Sequence, residues 1–277
     1  MKKKLKYFVF TLCAIFFCTL IYMLLWGKFF PYSPIILGFD EHELNNTIIY
    51  VQQGAEFNEF TRLDTLTESV ELFHELKFKN KPKIFIFKDD ESYHQRSLSN
   101  ARFCAFSSGA LIISPWAIEE DKQGVISLEI YIKHELSHIL IYNYTGFPGE
   151  FRYPSWLLEG LAMYSVNQMG TSFYPNIEDT YKAIRDGNFM PPEYYKTSKE
   201  DEVNINVKYK IAFIYSEFGC IVDYLVKTYG KEKFLQYMKA LLDENDNESQ
   251  FNKVYSRDFN EVISEFRDYV MKVKTKS

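Results

Sequence analysis

His134, Glu135 and His138 stand in the order His-Glu-Leu-Ser-His. Two histidines four residues apart on an α-helix differ by about 40° in direction and ~6 Å in height, so both imidazoles can reach one ion from the same face. Glu135 lies about 100° round from His134. That places it at the flank of the face, where it can touch water beside a metal rather than the metal itself. Two imidazoles holding zinc, with a glutamate as general base, is the chemistry this spacing serves. The blander reading makes both histidines hydrogen-bonded core groups. Their setting weighs against it, because the motif lies within an apolar stretch from Ile126 to Tyr142. Burying two histidines and a carboxylate there is costly unless something pairs them.

A catalytic zinc takes a third protein ligand and keeps one position open for water. The candidate is Glu159, 21 residues after His138, in the stretch Pro154-Ser155-Trp156-Leu157-Leu158-Glu159-Gly160-Leu161-Ala162-Met163-Tyr164. A surface glutamate near a helix N-terminus would account for the charge but not for the Trp-Leu-Leu flank. His42, His74 and His94 have no partner at ligand spacing and are expected at the surface.

His-Glu-x-x-His followed after about twenty residues by Pro-x-Trp-Leu-x-Glu-Gly-Leu-Ala resembles the gluzincin metallopeptidases, and among them the small peptidase MA-like domains. The likeness is specific over Ile126 to Tyr164. It continues weakly through Pro191-Pro192, Tyr215 and the run Tyr224 to Gly230, and covers roughly Lys83 to Val270. It implies a zincin-like α+β fold, zinc as cofactor and a peptide or protein as substrate. Glu135 would take a proton from water and pass it to the leaving amine. Gluzincins supply a further donor to the developing oxyanion from a later helix. By that resemblance the donor here is Tyr215, with Tyr209 as the alternative. The metzincin pattern is excluded, since Ile141 and Tyr144 stand where it needs glycine and a third histidine. Gly109 to Ser114 is similar in position to the edge strand that holds substrate in gluzincins. Its start, Gly109-Ala110-Leu111-Ile112-Ile113, lacks the glutamate with which aminopeptidases of the clan hold a free amine, which favours endopeptidase action.

The elements that must position these residues read as strands early and helices late, an α+β pattern. Strands are expected at 46–52, 83–87 and 110–114, the last ended by Pro115, and a helix at 63–78. Four further helices are expected: 124–144, stopped by Thr145-Gly146 with Pro148 beyond; one opened by Pro154-Ser155; 207–229, stopped by Gly230; and 231–242. Asp258 with Glu261 forms a capping box for a last helix. The stretch 186–206 is the least regular.

The first segment differs in kind. Lys2, Lys3, Lys4 and Lys6 precede an uncharged, mostly apolar run from Tyr7 to Trp26, 20 residues long. As a helix it would be roughly 30 Å long, the thickness of a bilayer core. A signal peptide would have a shorter apolar core and a small-residue cleavage site; this run ends Leu24-Leu25-Trp26-Gly27-Lys28. No small-residue lipobox precedes Cys13 or Cys18. Residues 1–28 therefore read as a lysine cluster and transmembrane anchor, 29–45, with Pro31 and Pro34, as a stalk, and 46–277 as one peptidase domain. The positive-inside rule keeps the lysines in the cytoplasm and places the domain outside it, in a periplasm or at a cell surface. All 37 acidic residues lie beyond Lys28, against 27 of the 32 basic ones, a balance of −10 that argues against nucleic acid as partner. Cys104 and Cys220 could form a disulfide in an oxidising compartment or be two separate buried thiols.

Two other functions compete. One is an inactive zincin-like binding or assembly domain, against which the intact Glu135 argues. The other is a tethered assembly factor with a structural zinc, which would usually be closed by four protein ligands, often cysteines. No cysteine lies near the motif.

Overall fold

The computed structural model describes residues 2–97, 99–149, 151–244 and 246–273. The first element, α1 (Lys2–Leu25), is an exposed apolar helix, and its span Lys3–Leu25 is long and apolar enough to cross a membrane. The strands are β1 (Phe39–Glu43), β2 (Ile48–Gln52), β3 (Lys83–Ile86), β4 (Phe103–Ala105) and β5 (Ala110–Ile113). Between them run α2 (Phe60–Asp64), α3 (Leu66–His74) and α4 (Asp90–Arg96). The rest of the chain carries α5 (Pro115–Lys122), α6 (Leu128–Gly149), α7 (Ser155–Ser165), α8 (Ile177–Arg185), α9 (Lys210–Tyr229), α10 (Lys231–Asp243), α11 (Asn247–Tyr255) and α12 (Phe259–Lys272). This is a mixed α+β architecture with a small mixed sheet and a mostly helical second half.

The sheet order is β1-β2-β3-β5-β4. The inner pairs β2/β3 and β3/β5 are parallel and the outer pairs antiparallel. Successive strand residues point to opposite faces, so each inner strand supplies two cores. Ile49, Val51, Ile84, Ile86, Leu111 and Ile113 pack under α6, against Ile132, Leu136 and Leu140. Tyr50, Phe85, Phe87 and Ile112 face the other way, onto Phe30, Phe39 and Tyr93. The third core lies between the later helices.

Several boundaries differ from the sequence reading. The segment 29–45 is not a free stalk. Phe30 is fully buried among the rings of Phe39, Phe85 and Phe87, and β1 pairs with β2. Pro31 and Pro34 shape a turn that the aromatic residues pull onto the sheet. The expected helix 63–78 is broken at Thr65, because the Asp64 carboxylate turns away to accept from Asn46 N, Thr47 N and the Thr47 hydroxyl at 2.8–3.0 Å. Gly146 does adopt a left-handed φ of 62°, yet α6 continues to Gly149. The strand at 110–113 is an inner strand, and the edge is β4, which had not been expected. Three residues are too few to show a period. Cys104 and Cys220 are free thiols in different cores, with Cys220 against Met169 Sδ at 3.8 Å.

Candidate metal centre

The face of α6 that carries the two histidines is buried and meets Glu159 of α7. His134 and His138 are one turn apart on α6 and almost fully buried, with ring centroids 4.7 Å apart. Glu159 is delivered from α7. That helix is buried on nearly every side (Trp156 to Met163), so a carboxylate in it must point at a partner. Glycine next to Glu159 lets α7 cross α9 closely, since a Cβ on Gly160 would lie 2.6 Å from the Phe218 carbonyl oxygen.

The carboxylate meets both imidazoles. Glu159 Oε2 lies 3.4 Å from His134 Nε2 and 3.4 Å from His138 Nε2, and is hydrogen-bonded to neither. The ligand atoms of the three residues lie within 4.8 Å of one another. Tetrahedral bonds of ~2.0–2.1 Å would set neighbouring ligand atoms roughly 3.3–3.4 Å apart. A buried, unsatisfied oxygen at that distance from two imidazole nitrogens fits a divalent ion of zinc's size and N/O preference.

Residues that sequence reasoning missed complete the surroundings. Gln168 is fully buried and its Oε1 is 2.7 Å from His134 Nδ1. The amide oxygen accepts from Nδ1–H, which in the neutral imidazole leaves Nε2 bare toward the other ligand atoms. Lys196 Nζ is 3.1 Å from the other carboxylate oxygen, Glu159 Oε1. Burial opposes charge on Glu159, but His138, His134 and Lys196 outweigh it and hold the carboxyl well below its usual range. Burial likewise opposes charge on His134, yet Glu159 and Glu135 push its pKa up. Gln168 and Lys196 sit outside any regular element, so no periodic signal marks them.

Glu135 is half-buried and opens with His134 onto a cleft of about 530 Å³. The other walls are Ala101, Arg102 and Phe103 at the sheet edge, Tyr131 of α6, Phe173 and Tyr174, and the start of α9 from Tyr209 to Tyr215. Tyr215 stacks on the His134 ring at 6.2 Å, with the planes 10° apart. Burial, Glu159 and Tyr195 push its phenol pKa well up, so it stays a donor. Tyr209 is 44% exposed at the rim, edge-on to Phe173. The cleft thus brings together Glu135, Tyr215 and Tyr209.

The remaining histidines divide. His94 is exposed and stacks on Trp116, while His42 packs on Phe60. His74, expected at the surface, is fully buried. Its Nδ1 donates to the Val70 carbonyl at 2.7 Å, so Nε2 accepts from the Ser137 hydroxyl at 2.8 Å. Ser137 lies between the two site histidines in sequence, at the flank of the α6 face that carries them. The edge strand also changes one argument. The missing aminopeptidase glutamate was sought on what proves to be an inner strand. The true edge, Phe103-Cys104-Ala105, carries no acid either, and Arg102 beside it is paired with Glu120.

No curated protein matches the chain. A family profile described as the Peptidase MA superfamily matches residues 123–272, more than half of the 277 residues, and takes in α6, α7 and the helices beyond. The chain therefore belongs to the peptidase MA superfamily.

Proposed function

We propose that this protein is a membrane-tethered zinc endopeptidase of zincin-like fold. In this reading His134, His138 and Glu159 hold the metal, and Glu135 and Tyr215 work beside it. The observation that carries the reading is the unsatisfied Glu159 oxygen set 3.4 Å from two imidazole nitrogens. Zinc in such a site supplies Lewis-acid chemistry, acidifying water and polarising a scissile carbonyl. Gln168 fixes the His134 tautomer, and Lys196 orients the Glu159 carboxylate. Glu135, at the cleft wall, accepts a proton from the attacking water and returns it to the leaving amine. The Tyr215 phenol, kept protonated by burial, donates to the oxyanion. An extended peptide laid along β4 passes these groups, and no carboxylate on that edge is placed to hold a free amino terminus. The lysine cluster ahead of the apolar helix favours an orientation with the domain outside the cytoplasm, and its acidic balance favours peptide or protein over nucleic acid as substrate.

The test compares wild type with Glu135→Gln in detergent on casein. Glu135→Gln is expected to keep zinc near one per chain and to lose at least 10²-fold in hydrolysis, the lower end for a positioned acid–base group. Equal hydrolysis by both proteins would remove Glu135 from this role.

A further inference from the structure

The membrane helix is joined to the domain without slack. Phe29 N donates to the Met23 carbonyl at 3.0 Å, and a Cβ on Gly27 would sit 2.9 Å from Met23 Cα, so the turn after α1 is tight. The Lys28 ammonium donates to the carbonyls of His94 and Ser97, the second at 2.7 Å. The Ser108 hydroxyl donates to the Pro31 carbonyl at 2.6 Å. Phe30 fills the outer sheet core, with the Arg96 guanidinium over its ring at 4.8 Å. Around this junction Trp26, Phe29 and Tyr32 are 40%, 41% and 36% exposed. Such an aromatic ring suits a membrane–water boundary.

The same contacts bound the distance from the bilayer to the cleft. Ala101 and Arg102 form one cleft wall. Ser97, which Lys28 holds, is four residues from Ala101, at most ~14 Å of chain. A second tie is the Tyr93 phenol, which donates to the Ala101 carbonyl, with Tyr93 next to His94. With the lysine side chain, its hydrogen bond and the Ser97 carbonyl added, the cleft wall lies within roughly 25 Å of the Lys28 backbone. Lys28 is itself only three residues past the end of α1.

Resting on the peptidase reading and on α1 crossing the membrane, we infer that the substrates are polypeptides anchored in the same bilayer, cut within roughly 35 Å of its surface. A site held this low meets a juxtamembrane segment at high effective concentration. A bond held further out by a stiff spacer lies beyond its reach. A long stalk would have allowed both, and the collar built on Lys28 and Phe30 removes it.

The experiment uses the full chain in phosphatidylcholine vesicles. One cleavable sequence, found by digesting casein with the detergent-solubilised protein, is placed on a single-span carrier behind helical Glu-Ala-Ala-Ala-Lys spacers of about 15, 30 and 60 Å. Cleavage is expected at the two shorter spacings and at least tenfold slower at the longest. Inserting thirty Gly/Ser residues between Gly27 and Lys28 adds roughly 30 Å of leash and is expected to restore cutting at the longest. Equal rates at all three spacings in the wild type would overturn the inference and leave the peptidase reading standing. No casein digestion in detergent would instead sink the peptidase reading, and this inference with it.

Discussion

The two oxygens of Glu159 face different partners: Oε1 takes Lys196, and Oε2 the two imidazoles. Glu159→Ala is therefore expected to weaken zinc binding more than the loss of an outer partner does, and an unchanged affinity would mean another third ligand. Gln168→Met keeps the volume but leaves His134 Nδ1–H without its acceptor. Competition with a chromogenic chelator is expected to show 10–100-fold weaker zinc binding in this variant, with the far-ultraviolet dichroism unchanged; wild-type affinity would refute the orienting role. Residues of this kind were unevenly legible. His134, Glu135 and His138 follow from the pitch of one helix, and Glu159 from an acid in an apolar flank. Gln168 and Lys196 reach in from irregular chain, where sequence spacing says nothing about direction. Lys196 even holds a left-handed φ of 57°, with its N–H donating to the Glu200 carboxylate at 2.9 Å.

Two packing contacts hold the helices of the site, α6 and α7, and each has its own signature. On one side His74 of α3 accepts from Ser137. Burial lowers the His74 pKa from 6.5 to about 4. Between those values the unfolded chain binds a proton that the folded chain does not, so stability falls as pH drops from 6.5 to 4 and levels off below. The loss is about 3 kcal/mol at most. Urea unfolding at pH 7 and 4.5 checks it: His74→Leu is expected to lose less stability on acidification than wild type, and equal losses would contradict a neutral buried imidazole. On another side α7 is pressed to α9 at Gly160. Gly160→Ala is expected to cost about 1–3 kcal/mol and to weaken zinc binding by moving Glu159, whereas wild-type stability and affinity would show that the crossing has room. The long helices were legible from their apolar period and their stops. Short ones were not, although α4, α8 and α11 begin at Asp89, Asn176 and Asp246, whose side chains accept from the N–H three residues on. A cap without a long apolar run behind it is a common turn signal. β4 was missed for the same lack of length, and that omission made β5 read as an edge strand.

At the scale of the whole molecule, the main surprise is the continuity from α1 through Phe30 and β1 into the sheet. Prolines and a lack of period made residues 29–45 read as a stalk, because aromatic burial against a sheet far along the chain leaves no local trace. Deleting residues 1–45 should therefore remove an edge strand and a core ring. The shortened protein is expected to unfold at markedly lower temperature than one deleted only to Leu25, and equal midpoints would restore the stalk. Phe30→Ala alone is expected to cost about 3–5 kcal/mol. What all three scales serve is one proposed ion site, and the direct measurement is zinc content with X-ray absorption on the intact, detergent-solubilised chain. Close to one zinc per chain is expected, bound by two imidazoles and one carboxylate and lost in His134→Ala. A wild-type protein that retains no zinc, or one whose zinc shows sulfur ligands, would contradict it.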